Sequence, residues 1–452
     1  MDEKPRVRRW WIGWLGIGTL VLGYLAYTRG WLTPRPRWVA MEPQADEEVW
    51  STTPEVVLRF SAAVDRAQLT QAVQLEPPVT GRWRDDDQGR TWRFVPDAPG
   101  WPRGAQVRVV VGPPLSDTPR RLVFRIRPTL LAYLWPHTGP RQVYARDPAG
   151  RGHQALTHTR HRVLAFSVAP DGNYLVYSAA NDQGGADVWL QPLPDAEAQL
   201  LIRCGADVCD EPRVGPGGRI AFVREPQNAP PRVEVWHPAT GALVRPTAQG
   251  ASYGPLWSAT GLLAFYGRAE AAYIVWNPVQ REAVEHIAND TGEHAAWGPQ
   301  GRFFYHVVLY DVPPDEPDIP DPRLSAHVLR YDRNTQTTDD LTNAWHWEDA
   351  TPAADPTGRY LAFGRKHLRP EGWTPGRQLW LYDLKRGGAY PLTDAAAYNH
   401  LDFAWSPDGR QLAYVRTHQL DLSAAPELWL YDLETHHHAS LLEGAYAPQW
   451  LP

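Results

Sequence analysis

The residue types that could bind a metal ion occur in two stretches of this chain. Three consecutive histidines stand at 436–438, and the segment 311–321 holds five acids among four prolines. Consecutive histidines on a turn cannot converge on one ion as the ligands of a tetrahedral site do. The acidic segment could bind calcium, but its composition is more typical of a solvated loop. We therefore expect no metal site.

The sequence offers little support for catalysis. It has neither a His-Glu-x-x-His pair nor a phosphate-binding loop, and we assign no nucleophile elbow. We therefore expect no enzyme activity, no catalytic residues and no cofactor.

Cys204 and Cys209 are the only cysteines. They lie between predicted strands that end at Ile202 and resume at Val214, and Gly205 permits the turn that brings their α-carbons within about 6 Å. Two ligands without a matching His or Cys pair are too few for zinc. We expect a disulfide, which indicates a location outside the reducing cytosol.

A repeated pattern runs through most of the chain. Its clearest copy, 403–416, reads as a strand ending in Trp405, a Ser-Pro-Asp-Gly turn and an alternating strand, and a third strand follows at 427–433. An apolar-small-aromatic triplet marks each copy, and the triplets end at Tyr133, Tyr177, Phe222, Phe265, Tyr305, Phe363 and Tyr414. Their spacing of 40 to 58 residues is near that of one four-stranded propeller blade per repeat.

The first copy and the last residues complement each other. The triplet at 131–133 lacks a preceding glycine turn and first strand, whereas residues 445–452 match the strand that carries Trp405 and then stop. If the last strand pairs with the first blade, the ring closes and leaves no open sheet edges. The sequence therefore predicts seven blades closed by strand exchange.

The turn at 405–409, the Leu-Ala-Tyr triplet at 412–414 and the Leu-Trp-Leu-Tyr-Asp strand at 428–432 resemble the TolB-like (WD40-like) β-propeller repeat of bacterial periplasmic and surface proteins. The resemblance covers about residues 128–452 and implies an all-β propeller. Because TolB-type propellers usually have six blades, six is the alternative to seven.

The N-terminus predicts a membrane anchor. Residues 10–30 contain a long uncharged stretch with aromatic residues at both ends, and a slight basic excess precedes it. We expect a cytoplasmic tail (1–9), a transmembrane helix (10–30) and a linker (31–50), with the bulk of the chain outside the cytoplasm at the cell membrane. A cleaved signal peptide is the alternative.

Residues 51–127 are predicted to form a separate β-sandwich of about seven short strands. The sequence segments 58–65, 75–78 and 94–97 resemble the bacterial Ig-like domain of surface proteins, in which the domain is a spacer or docking unit. Within it, the segment 85–92 is similar to the Asp-box of sialidases but lacks the first Ser. We interpret that segment as a structural turn.

The net charge of −6 and the absence of a basic block give no electrostatic footprint for nucleic acid. We expect a monomer that binds an unknown protein or glycan at the cell surface. The loops after the fifth, sixth and seventh triplets are the longest, so we expect one elaborated face there. Its candidate ligand-binding residues are Trp345, His346, Trp347, Glu348, Trp373, Tyr398 and His400.

Three interpretations follow for function. The first is a non-catalytic interaction module that acts through the elaborated face. The second is a purely architectural protein of the cell envelope, and the third a hydrolase of the kind that carries sialidase-like or peptidase-associated propellers. Packing of the candidate rings against neighbouring blades remains the alternative to ligand binding.

Overall fold

The computed structural model of the protein describes residues 36–49, 52–97, 100–194, 196–246, 249–319 and 323–452. The predicted cytoplasmic tail (1–9) and transmembrane helix (10–30) lie outside these ranges. Within them, no helix has the length and apolar character that a bilayer crossing requires. The chain divides after Arg127 into two compact units.

The first unit contains two sheets packed on one core. Its elements are β1 Trp38–Glu42, β2 Glu48–Val49, β3 Val56–Phe60, α1 Arg66–Ala72, β4 Val73–Glu76, β5 Gly81–Asp85, β6 Thr91–Pro96, β7 Gln106–Val111 and β8 Arg120–Ile126. One sheet has the order β1-β3-β6-β5 and the other β2-β8-β7-β4. Val107 and Val109 of β7 alternate inward and share a core with Val56 and Leu58 of β3, as in a sandwich.

The prediction of a linker at 31–50 is partly wrong. Strand β1 pairs with β3 and β2 pairs with β8, so the described part of this segment belongs to both sheets. Met41 is buried in the core and Trp38 packs against it. The prolines and acids that suggested a spacer flank these strands, and burial of a few apolar side chains outweighs them.

Helix α1 was not predicted. It begins after Asp65, whose carboxylate accepts the Gln68 backbone N–H at 2.7 Å while the Gln68 side chain accepts the Asp65 N–H at 3.2 Å. This reciprocal capping box satisfies two otherwise unpaired donors and starts the helix within a strand-rich segment.

The second unit is a ring of four-stranded sheets. Its strands are β9 Leu130–Trp135, β10 Gln142–Arg146, β11 Gln154–Ala155, β12 Val163–Val168, β13 Tyr174–Ala180, β14 Ala186–Pro192, β15 Gln199–Ile202, β16 Val208–Val214, β17 Ile220–Glu225, β18 Arg232–Trp236, β19 Leu243–Val244, β20 Ser252–Trp257, β21 Leu263–Gly267, β22 Ala272–Asn277, β23 Glu282–Ala288, β24 Ala295–Trp297, β25 Phe303–Asp311, β26 Leu324–Asp332, β27 Thr337–Asp340, β28 Trp347–Ala354, β29 Tyr360–His367, β30 Gln378–Asp383, β31 Ala389–Pro391, β32 Tyr398–Trp405, β33 Gln411–His418, β34 Glu427–Asp432, β35 His437–Glu443 and β36 Tyr446–Leu451.

Strands β12 to β35 form consecutive antiparallel meanders of four, and β9, β10 and β11 are completed by β36. Single parallel bridges, Ala186 to Val208 and Ala326 to Glu348, connect two adjacent pairs of meanders. The prediction of an all-β fold is confirmed.

The last strand pairs with the first of this unit. Trp450 stands opposite Leu131, and Gln449 opposite Ala132. The first strand of each sheet (β36, β12, β16, β20, β24, β28 and β32) contacts the next, and β36 contacts β12, so these strands surround one axis. Because β36 pairs with β9, the first and last strands of this unit belong to one sheet, and neither is left as an open edge where the ring closes.

Candidate functional site

Two of the predicted tryptophans, Trp347 at the first position of β28 and Trp345 just before that strand, pack against neighbours. The ring centre of Trp345 is 5.2 Å from that of His327. The ring of Trp347 is 4.7 Å from His367 and 5.4 Å from Trp380. Both tryptophans are half-buried, so they form a packed base and not a freely exposed surface.

A buried ion pair fixes that base. Arg365 donates to both carboxylate oxygens of Asp349, at 2.7 and 2.9 Å, and the side chains are 7% and 0% exposed. The guanidinium carbon also lies 5.0 Å from the ring centres of Trp347 and Trp380. Burial raises the pKa of Asp349, and the hydrogen bonds from Arg365 oppose that shift. Charge-assisted bidentate bonds of this kind hold both partners in one geometry.

Three more of the predicted residues are half-buried. Glu348 forms an ion pair with Arg377. The ring of Tyr398 lies 4.1 Å from the guanidinium carbon of Arg416, a cation–π contact. Burial lowers the pKa of His346, which favours its neutral form.

His400 was wrongly assigned to the accessible face. Its side chain is 2% exposed, and Nδ1 donates to the Arg377 carbonyl at 2.9 Å. Burial lowers its pKa to about 4, so the ring is neutral at ordinary pH. Its place on β32 turns it toward the neighbouring sheet, a relation that sequence position alone does not reveal.

The exposed apolar residues of this sector stand on three neighbouring loops, β25–β26, β29–β30 and β33–β34, which we call the rim sector. Trp373 is 52% exposed, with Lys366 Nζ 5.1 Å from its ring centre. Leu420 and Leu422 of the third loop are 74% and 91% exposed, and Leu309 at the end of β25 is also exposed.

An ion pair and several hydrogen bonds hold the first two loops of the rim sector in place. Arg369 of its second loop pairs with Glu316 of its first. Arg323 donates to the carbonyls of Pro313, Glu316 and Ile319, at 2.7, 2.7 and 3.1 Å. The described part of the acidic segment 311–321 is therefore folded around a guanidinium, which occupies the carbonyl oxygens that a calcium ion would use.

The consecutive histidines do not converge. His436 Nδ1 pairs with the Tyr431 hydroxyl at 2.9 Å, and His438 Nδ1 with the Tyr414 hydroxyl at 3.0 Å. Over the described ranges, no group of three or more His, Cys, Asp or Glu side chains is arranged to hold a metal ion.

The two cysteines are joined by a disulfide between the end of β15 and the start of β16. The Cys204 N–H donates to Asp187 at 2.7 Å, and Cys209 is fully buried. In the first unit, Asp85 accepts the N–H groups of Asp87 and Gly89, so the Asp-box-like segment is the turn between β5 and β6.

A Gly-x-Ser-x-Gly spacing was overlooked in the sequence. It comprises Gly250-Ala251-Ser252-Tyr253-Gly254. Ser252 begins strand β20, is buried and accepts the Val233 N–H at 2.9 Å. A nucleophile elbow instead places its Ser on an exposed turn between a strand and a helix, so this spacing does not have the geometry of the motif.

A Ser-His-Asp trio was also missed. Ser325 Oγ lies 2.9 Å from His327 Nε2, and His327 Nδ1 lies 2.7 Å from Asp340 Oδ2. However, Ser325 Oγ donates to the Trp347 carbonyl at 2.7 Å and is fully buried. Because a carbonyl only accepts, the serine proton points away from the histidine. The trio, as folded, is a structural hydrogen-bond chain beneath Trp345.

Acids of the innermost strands form a second feature that the sequence did not suggest. Bulges place Glu211 of β16 and Asp402 of β32 at positive φ, 51° and 54°. Burial raises the pKa values of both, as it does for Asp210, while Arg213 opposes each shift. Asp402 also accepts the Ala447 N–H at 3.2 Å, so it helps to hold the closing strand.

No family model matches the chain. One curated relative, the "Uncharacterized peptidase YuxL" of Bacillus subtilis (strain 168), is 29% identical over 119 residues, which cover 26% of this chain and 17% of the relative. The match thus spans about a sixth of that relative's length. It contradicts the prediction that the chain is not an enzyme, because the matched protein is named as a peptidase.

The solved structures that are similar to this chain include β-propellers. TolB from Acinetobacter baumannii is 13% identical, with 87% of this chain and 88% of that chain covered and a TM-score of 0.44. The β-propeller domain of the trilobed protease from Pyrococcus furiosus is also 13% identical, with 63% and 84% covered and a TM-score of 0.47. The tricorn protease is 11% identical, with 88% and 49% covered and a TM-score of 0.42. The chain is therefore similar to TolB-like and other β-propellers.

Proposed function

We propose that residues 128–452 are a seven-bladed β-propeller that binds a polypeptide partner through the rim sector. Six consecutive four-stranded meanders, together with the four-stranded sheet that β36 completes by pairing with β9, support the blade count. The observation that carries the function is the concentration of exposed apolar side chains, Trp373, Leu420 and Leu422 among them, on neighbouring loops of one sector.

Exposed aromatic and aliphatic side chains on adjacent loops are typical of interaction sites. Here the Arg369–Glu316 ion pair connects the first two loops, and the buried Arg365–Asp349 pair lies in the sheet that carries the second loop. A braced surface loses little conformational entropy on binding, which favours affinity.

A polypeptide suits this surface better than a glycan. Two of its arginines are paired with acids, Arg369 with Glu316 and Arg377 with Glu348. The side chains left exposed include leucines, which offer an apolar contact and no hydrogen bond to sugar hydroxyls. Trp373 beside Lys366 supplies the large anchor that protein interfaces favour.

The binding proposal is tested by site-specific photo-crosslinking in the native host. A crosslinking residue is placed at Trp373, at Leu422 and, as control, at Val279, which is 76% exposed on the turn between β22 and β23. We expect the same discrete protein adduct from the first two positions and none from Val279. Equal labelling from all three positions, or no adduct at any of them, contradicts the proposal.

We further propose that residues 10–30 anchor the protein in the cell membrane with the N-terminus in the cytoplasm. The first unit is then an Ig-like spacer, and the propeller lies outside the cytoplasm. The disulfide supports this location because such bonds persist in oxidising compartments. A reporter that is active only outside the cytoplasm, fused after Pro452, should be active. Activity of a cytoplasm-only reporter at that position argues against the topology.

The peptidase relative favours a second candidate function, in which the chain hydrolyses peptides or presents them to a peptidase. Turnover of a fluorogenic casein by the purified chain tests it. The variant Ser325→Ala separates the buried trio from any other source of activity. Activity that persists in this variant excludes Ser325 as the nucleophile, and absence of turnover in the wild type removes hydrolysis by this chain alone.

A further inference from the structure

Two sheets of the ring contain the same tyrosine–histidine hydrogen bond. The Tyr133 hydroxyl lies 2.7 Å from His153 Nδ1, and the Tyr414 hydroxyl lies 3.0 Å from His438 Nδ1. In both sheets the tyrosine faces an aromatic ring directly across the strand pair, and in the second sheet that ring is Trp429. The histidine therefore fills a defined place beside two aromatic rings.

In the sheet β12–β15 the tyrosine and its partner ring are present, but the histidine is not. Tyr177 stands opposite Trp189, as Tyr414 stands opposite Trp429. Leu190 pairs with Gln199, so the next position along the strand, Ala198, corresponds to His438. The side chain that should fill this place is thus reduced to a methyl group.

Tyr177 differs from its two counterparts in the bonding of its hydroxyl. The residue is 2% exposed, yet no described residue forms a hydrogen bond with its hydroxyl, whereas the equivalent hydroxyls of Tyr133 and Tyr414 are both bonded. The hydroxyl is not among the fully buried unpaired atoms of the described residues, so it is accessible from the adjoining cavity and can bond a ligand there.

A cavity of about 530 Å³ occupies this place. Its walls include Tyr177, Trp189, Gln191 and Ala198, with His158 and His161 at its side. The Tyr177 and Trp189 rings are nearly parallel, with their planes 11° apart and their centres at 6.5 Å, and both line the cavity. The volume is within the range of small-ligand sites.

The preceding sheet provides a second hydrogen-bonding group. His438 Nε2 donates to the Leu392 carbonyl at 3.1 Å. Leu156 is the counterpart of Leu392. The Leu156 N–H donates to a carbonyl on the third strand of its sheet at 2.7 Å, and the Leu392 N–H makes the same bond at 2.8 Å. Leu156 lines the cavity, as Leu392 lines the space that His438 fills. No described residue donates to the Leu156 carbonyl.

We propose that this cavity binds a ligand bearing a neutral imidazole ring, most simply the histidine side chain of a peptide. One ring nitrogen accepts from the Tyr177 hydroxyl, the opposite N–H donates to the Leu156 carbonyl, and the ring packs against Trp189. The remaining volume holds the peptide backbone around the histidine. This site lies in another sheet than the rim sector and does not depend on it.

The test uses the full-length chain and a capped histidine, N-acetylhistidine methylamide, titrated at pH 8 by saturation-transfer NMR. We expect saturable binding that weakens about tenfold in Tyr177→Phe, because the hydrogen bond to the ring nitrogen is lost. Ala198→His should abolish binding, because the chain then supplies its own imidazole. Tyr414→Phe, whose hydroxyl already has a partner, is the matched control and should bind as the wild type does.

Capped phenylalanine has a similar ring without nitrogen and should bind at least tenfold more weakly. If Ala198→His does not fold, Tyr177→Phe and the phenylalanine probe still decide the result. Absence of binding to the wild type, equal binding of the two probes, or unchanged binding in Tyr177→Phe overturns the proposal.

Discussion

The Trp450 indole N–H donates to the Ala404 carbonyl at 2.8 Å. The same contact recurs around the ring: Trp405 donates to Ala353 at 2.9 Å, and Trp297 to Leu256 at 3.0 Å. In each case a tryptophan on one innermost strand is hydrogen-bonded to the backbone of the preceding innermost strand. Trp450 makes this contact from the last strand of the chain and thereby closes the ring.

Replacement of Trp450 should destabilise the propeller strongly. Trp450→Ala leaves a cavity among buried residues and an unpaired carbonyl, so we expect a loss of about 3–5 kcal/mol in the free energy of unfolding. Trp450→Phe keeps most of the ring and should cost about 1–2 kcal/mol. Urea denaturation measures both, and the exposed Trp373→Ala is the control. A loss in Trp450→Ala no larger than in that control contradicts the closure role.

Replacing one member of the buried Arg365–Asp349 ion pair should lower the free energy of unfolding more than replacing both. Asp349→Asn or Arg365→Met alone leaves one charge buried without its partner and should cost about 3–5 kcal/mol. The double variant Asp349→Leu with Arg365→Met should recover part of that loss. A double-mutant cycle by urea denaturation measures the coupling. Additive single effects would mean that the two side chains do not act as a pair.

Two buried histidines should make the protein sensitive to acid. Burial lowers the pKa values of His306 and His400 to about 4, whereas an unfolded histidine titrates near about 6.5. Below about pH 6.5 these two histidines become protonated in the unfolded chain but stay neutral in the folded protein until the pH approaches their lowered pKa values. Their stabilisation is therefore present above about pH 6.5 and is lost as the pH falls toward 4, by about 2–3 kcal/mol for each histidine.

Urea denaturation at pH 7.5 and 4.5 measures this effect. The difference between the two pH values should shrink by about 2–3 kcal/mol in His400→Gln and stay unchanged in the exposed control His437→Gln. Acids with raised pKa values, such as Asp402, act in the opposite direction in every variant and cancel in the comparison. The same pH dependence in all three proteins contradicts the prediction.

The disulfide should contribute modest stability. The cysteines are five positions apart, and closing so short a loop contributes about 2 kcal/mol through the unfolded state. Replacing both Cys204 and Cys209 by serine should lower the unfolding free energy by about that amount. Mass spectrometry of protein from its own compartment should find two hydrogens fewer than the reduced chain. Full alkylation of both cysteines in denaturant without reductant argues against the bond.

Much of the fold could be predicted from local pattern. The Ser-Pro-Asp-Gly turn works because Gly409 adopts a φ of 70°, and the alternation after it places Leu412 and Tyr414 on one face of the strand and Ala413 on the other. The closing strand at 445–452 was predictable for the same reason, since it matches the strand that carries Trp405. Turn chemistry and period-2 alternation are local properties, so they are readable from sequence.

The candidate sites depended on contacts between distant segments. His400 is bonded to the Arg377 carbonyl in the loop before β30, and Met41 packs in a core assembled from the whole first unit. Ala198 is unremarkable in the sequence, because only strand register shows that it corresponds to His438. Burial, register and the partner of a hydroxyl are properties of pairs of residues far apart in the chain, and therefore only the tertiary structure decided them.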